Sequence, residues 1–210
     1  MKSLFVFVIV TFFGLQVSAQ SQADVFIKEA QKFLTEKKYQ EAILSLQDAI
    51  NDINTLIATQ IGAALPAEIN GLKADGEATV NGNAMGMMGG GMQVSKNYTN
   101  PAKKENQAEL QILANSPMLA SINMFMSNPA MLGDGYKSVR VGAKRAIMKS
   151  QMEDFYADNG SSKQIRASEL QIPLSQTLIT LNLKGFASEQ EELAFAGKID
   201  IEKLSALLGE

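Results

Sequence analysis

The sequence predicts an α+β fold in which an N-terminal antiparallel helical hairpin is followed by an antiparallel sheet with helices mainly on one face. Three observations carry this reading. Ile43, Leu46, Ile50, Ile53 and Ile57 recur at steps of three, four, three and four residues, the spacing of one face of a helix. From Leu65 onward the apolar residues alternate in short runs joined by Gly, Asn and Pro, the texture of strands and turns. The resulting order, helix pair, strands, helix, strands, helices, is that of an α+β domain.

The first residues read as a secretory signal. Lys2 precedes an uncharged apolar run from Leu4 to Leu15, and the small-residue site Val17-Ser18-Ala19 follows. The run is shorter than the ~20 residues that span a bilayer, so cleavage near Ala19 and a secreted or periplasmic mature chain are expected, with no transmembrane segment. The expected organisation is a signal peptide over 1–19, a helical hairpin over 20–64 and an α+β sheet domain over 65–210. With Lys2 removed, 18 basic residues face 22 acidic ones, a net charge of −4. No basic block marks a nucleic-acid surface, and no nucleic-acid partner is expected.

Cysteine and histidine are both absent. Disulfides, thiolate metal sites, cysteine nucleophiles, the usual zinc sites and Ser-His-Asp catalysis are thereby excluded. The commonest general base near neutral pH is missing as well. The chain is read as a non-enzymatic protein without a cofactor.

Each element has its own local warrant. From Ala23 to Leu34, Phe26, Ala30 and Phe33 form a helical stripe widened by Ile27 and Leu34, and the polar run Thr35 to Lys38 is a short turn. The isoleucine stripe then predicts a helix of more than twenty residues ending near Ala64 or Pro66, antiparallel to the first because the connection is short. Lys73 to Asn81 reads as a weak strand, and Gln93 to Tyr98 as a better one in which Val94, Lys96 and Tyr98 share a face. Asn100-Pro101 and Lys103 to Asn106 form a turn, after which Leu110, Ile112 and Ala114 line a strand beginning near Gln107.

Ser116 as N-cap, Pro117 in the first turn and Asn128-Pro129 as a stop delimit a helix with an apolar stripe of Leu119, Ile122, Phe125 and Met126, expected to be buried against the sheet, with contact to a partner or a membrane as the alternative. Asp134-Gly135 is a turn, and Ser138 to Gly142 a strand. Lys144 to Ser150 and Met152 to Ala157 read as two more strands or, since no clear break interrupts Lys144 to Tyr156, as a helix, and Asp158 to Ser161 is a tight turn. Leu170, Ile172 and Leu174 alternate, as do Ile179, Leu181 and Leu183, and Pro173 places the first of that pair at an edge or bulge. Ser188 and Glu191 form a capping box. Asp200 caps a last helix whose Leu204, Leu207 and Leu208 dock before Gly209 ends it.

The segment from Phe33 through Tyr39 and Ala42-Ile43 to Ala49-Ile50 resembles one tetratricopeptide helix pair, in which a tyrosine and later alanines sit at the tight crossing. A solenoid needs three or more repeats, so the peptide groove of that family is not implied. The second part, through Leu65-Pro66, the Gly-Met stretch, Ser95 to Tyr98 and Ser116 to Leu119, is similar to small secreted bacterial envelope proteins of uncharacterised function. Its sheet with one internal and one terminal helix is also similar to the Mog1/PsbP-like α/β sandwich, which implies a binding role by analogy of fold.

Two sets of residues stand out as candidate sites. The stripe Ile43, Leu46, Ile50, Ile53 and Ile57 would either cover one end of the domain or contact a protein partner or a second copy of the chain. Met85, Met87, Met88 and Met92 offer four thioethers within eight residues, a soft-ligand set suited to monovalent copper or silver, while the same residues also suit gap-filling beside a glycine bulge. Gly89 to Gly91 lacks the Lys-Ser or Lys-Thr of a phosphate loop. Glu153, Asp154 and Asp158 form a carboxylate group without calcium-loop spacing, and a hydrolase built on them would need two carboxylates facing each other. The expected function is therefore a secreted or periplasmic binding or protein-interaction protein, with methionine-based copper binding as the alternative.

Overall fold

The computed structural model describes residues 21–84, 91–128, 131, 133–157 and 160–210. The expected leader lies outside the described residues, as do Asp158 and Asn159 of the tight turn.

Helix α1 spans Gln22–Thr35, capped by Ser21, whose hydroxyl accepts from the Asp24 amide. Lys37 takes a left-handed conformation in the connection, and α2 follows as 26 residues, Tyr39–Ala64. The two helices meet through small side chains: Ala23 and Ala30 of α1 and Ala42, Ser45 and Ala49 of α2 are buried. Asp52 of α2 accepts from the Ala23 amide at 2.9 Å, placing an anion at the positive end of α1.

Nine strands form one antiparallel sheet, among the described residues: β1 (Glu68–Ile69), β2 (Leu72–Ala74), β3 (Thr79–Asn81), β4 (Gln93–Asn100), β5 (Lys103–Ala114), β6 (Tyr136–Val141), β7 (Lys144–Tyr156), β8 (Ser162–Pro173) and β9 (Thr177–Lys184). The order is β1-β2-β4-β5-β9-β8-β7-β6, with β3 also pairing with β4. Helix α3 (Leu119–Ser127) connects β5 to β6, and α4 (Glu189–Ala196) and α5 (Ile201–Leu208) close the chain.

The inner face is built from register. Leu110 of β5, Leu181 of β9, Leu170 of β8 and Met148 of β7 stand side by side in one row, with Ile112, Ile179 and Ile172 in the next. Against these rows pack Ile57, Ala58 and Ile61 from the end of α2, Phe195 and Ala196 of α4, and Ile201 and Leu204 of α5. Phe195 sits edge-on to Tyr98 and to Phe186. The α+β architecture is thus the expected one, with α2, α4 and α5 on one face.

Several local expectations are corrected. Lys73 to Asn81 is two short strands on one edge of β4. Four residues, Asp75 to Ala78, oppose only Lys96 and Asn97, so the edge bulges outward there. Lys103 to Asn106 belongs to β5, because a two-residue turn held by Asn100 Oδ1 accepting from the Ala102 amide suffices. Lys144 to Tyr156 is one 13-residue strand, since Ser150, Gln151 and Met152 pair with β8 without a break.

β8 is an interior strand. Pro173 fits as its last residue because pairing with β7 ends at Gln171, and no β7 carbonyl awaits the missing N–H. Ser116 does not cap α3, which starts at Leu119. Its hydroxyl accepts from the Met118 amide one turn earlier. Of the α3 stripe only Ile122 is buried; Leu119, Phe125 and Met126 rest on Ile147 and Leu178, on the sheet face opposite the main core. At the C-terminus, the Ser188, Asp200 and Gly209 caps are formed as expected.

Candidate functional site

The isoleucine stripe divides where α2 meets the sheet. Ile57 packs against the core beside Ala58 and Ile61. Toward the hairpin tip the same stripe has nothing over it among the described residues: Ile43 is 57%, Leu46 43%, Ile50 46% and Ile53 42% exposed. Val25, Ile27 and Leu34 of α1 and Tyr39, Leu44 and Leu56 of α2 are exposed as well. The cause is local: alanines and one serine already close the α1–α2 seam, so the larger side chains are left outside it. Of these, Ile43, Leu46, Ile50 and Ile53 share one helix face, and a run of exposed apolar side chains on one face is the mark of an interaction surface.

Charge is distributed unevenly along the hairpin. Asp24, Asp48 and Asp52 lie toward its base, whereas Lys32, Lys37 and Lys38 lie at the tip with Glu36 and Glu41. Lys38 bonds Glu36 at 2.6 Å and holds that carboxyl below its ordinary range.

The sheet face away from α2, α4 and α5 is polar beyond the apolar patch that α3 covers at Ile147 and Leu178. Glu109, Asn182 and Glu169 lie in one cross-strand row, and Gln111, Thr180 and Gln171 in the next. Gln111 and Gln171 donate to Glu109 and Glu169 at 2.6 and 2.5 Å, and Asn182 donates to Glu109 at 3.2 Å. These carboxylates are satisfied by amides. Glu153 accepts from Lys184 at 3.0 Å and from Gln151 at 2.8 Å, and these two hydrogen bonds hold its pKa below the ordinary carboxylate value. Asp154, its neighbour in the strand, points to the opposite face, and Asp158 lies outside the described residues. Glu153 and Asp154 are therefore not brought together. No group of three or more acidic side chains able to hold a metal ion occurs among the described residues.

Of the four methionines, Met92 is 2% exposed and belongs to the core cluster, so its thioether faces apolar side chains. Met85, Met87 and Met88 lie outside the described residues. The flanks of the stretch are the two arms of the β3–β4 hairpin, joined beyond their ladder by the Ala84 amide donating to Gly91 O at 2.8 Å.

Three polar features on the inner face were not singled out from sequence. Tyr98 is buried and donates to Pro66 O at 3.0 Å, and burial pushes its phenol up to about 12. Arg166 bonds Glu192 at 2.9 Å and Ser150 at 2.7 Å. Glu192 is 0% exposed, with Oε1 lacking a partner among the described residues. Lys96 stands in the leucine row beside Leu110, where an apolar residue is expected. Its signal was present in the alternation of Val94, Lys96 and Tyr98, which puts a cation on the apolar face. No helix among the described residues is long and apolar enough to cross a membrane. Comparison with protein-family models, with curated proteins and with solved structures finds no match.

Proposed function

We propose that the mature chain is a non-enzymatic secreted or periplasmic interaction protein whose helical hairpin pairs, antiparallel, with the hairpin of a second copy. The carrying observation is the apolar stripe that is core at Ile57 and Ile61 and continues uncovered through Ile53, Ile50, Leu46 and Ile43. A second hairpin fits it because two amphipathic helix pairs laid face to face make a four-helix bundle, closing both stripes at once. Antiparallel pairing also brings the lysines of each tip toward the aspartates of the other base. The single tetratricopeptide-like helix pair would serve here as a docking arm, not as part of a solenoid. The alternative, monovalent copper or silver held by Met85, Met87, Met88 and Met92, would have to do without the Met92 thioether, which is buried in the core.

Sedimentation equilibrium of the chain starting at Gln20 tests the pairing. A dimer is expected at micromolar concentration. Ile43→Glu with Ile50→Glu should give a monomer with an unchanged far-UV spectrum, since neither residue is buried in the protomer. A wild-type chain that stays monomeric up to hundreds of micromolar sinks the proposal.

A further inference from the structure

Lys96 is 8% exposed, and its ammonium donates to Leu65 O at 3.2 Å, just past the end of α2. That bond places a cation at the negative end of a 26-residue helix with no basic residue in its own last turn. It uses one of three N–H donors. No carboxylate lies at ion-pair distance from Lys96 among the described residues; Glu77 stands on the same cleft and is solvent-exposed. A cation held in an apolar row without a paired anion is costly for the fold, and such departures from pattern concentrate at sites with a function.

The surroundings give this cation a shape. Opposite Lys96 the edge strand bulges, and the gap between that bulge and the end of α2 is a cleft of about 680 Å³. Its walls are mostly small and apolar: Gly62, Ala63, Ala67, Ala74, Ala78 and Val80. This size lies within the ~300–1,000 Å³ of small-molecule sites, which are typically apolar with a few placed polar groups.

We infer that the cleft binds a linear amphiphile bearing a single carboxylate, its chain along the alanine walls and its head on the Lys96 ammonium. The pairing supplies the missing anion and uses the two free donors. Small side chains leave room for a methylene chain but give no aromatic platform for a sugar or base, and one cation suits a single negative charge. This inference concerns the α2–β4 end of the sheet and is independent of hairpin pairing.

Binding of decanoate and of decanol to the chain starting at Gln20, read by displacement of a fluorescent fatty acid, tests it. Decanoate should bind at least tenfold tighter than decanol. Lys96→Met should remove that preference and leave decanol binding unchanged, while Lys96→Arg should retain it. Ala63→Trp, a substitution at an exposed wall position, should block both ligands in a chain that keeps Lys96, which guards against misfolding of the Lys96 variants. The inference is overturned if decanoate does not bind, if decanol binds equally well, or if Ala63→Trp leaves decanoate binding intact.

Discussion

Tyr98 carries its hydroxyl into the core and finds one acceptor there, Pro66 O. Its phenol ionises near 10.0 in an open chain and near 12 in the fold, because burial disfavours the phenolate. Between those values the folded chain keeps a proton that the unfolded chain has released. The stability contributed is therefore complete below pH 10 and falls as pH rises to about 12. Denaturant titrations should show wild type losing stability across that window relative to Tyr98→Phe. The variant should start about 1 kcal/mol lower at neutral pH, because Pro66 O loses its donor. Glu153 has the opposite sign. Its depressed pKa means that the contribution is present above 4.5 and lost as pH falls through the folded value. Lys184→Met should return the Glu153 carboxyl toward 4.5 in an NMR titration, as removal of its first hydrogen-bond partner requires. Sequence could not show either effect, since the burial of Tyr98 and the first partner of Glu153, Lys184, come from contacts distant in the chain.

Helix α2 serves as two elements in one. Its first four turns pair with α1 through alanines, and its last two close the sheet's inner face. The stripe itself was legible, because a 3.6-residue period identifies a face without saying what covers it. A boundary at residue 64 separates Ile61 from the leucine rows that it packs on. A chain beginning at Leu65 is accordingly expected to bind a hydrophobic dye and aggregate, as judged by light scattering. A clear monomer of native near-UV spectrum from that chain would show that α2 is dispensable to the core. Gly82 marks a second attachment of the helix. A Cβ there would stand 2.5 Å from Asn51 O and 2.7 Å from Thr55 N. Gly82→Ala should push the β3–β4 hairpin off α2 and cost about 1–3 kcal/mol in chemical denaturation.

At the scale of the molecule, one sheet separates an apolar face under α2, α4 and α5 from a second face that is apolar only beneath α3 and elsewhere carries carboxylates tied to glutamine, asparagine and lysine. Leu181 lies at the centre of the apolar face, between Leu110 and Leu170. Leu181→Ala is expected to destabilise the protein by about 2–5 kcal/mol, measured from urea transitions, because close packing on both sides prevents collapse into the cavity. The sequence by itself determined the α+β class, the hairpin, most strand positions and the caps at Ser188, Asp200 and Gly209, since each rests on period or on a local hydrogen bond. It also excluded the thiol and imidazole chemistries outright. Strand order, the interior place of β8, the edge bulge and the seating of Lys96 beside the end of α2 were decided only by the tertiary structure. These are contacts between residues far apart in the chain, such as the 31-residue separation of Lys96 and Leu65, and no short-range pattern encodes which distant partner a side chain will meet.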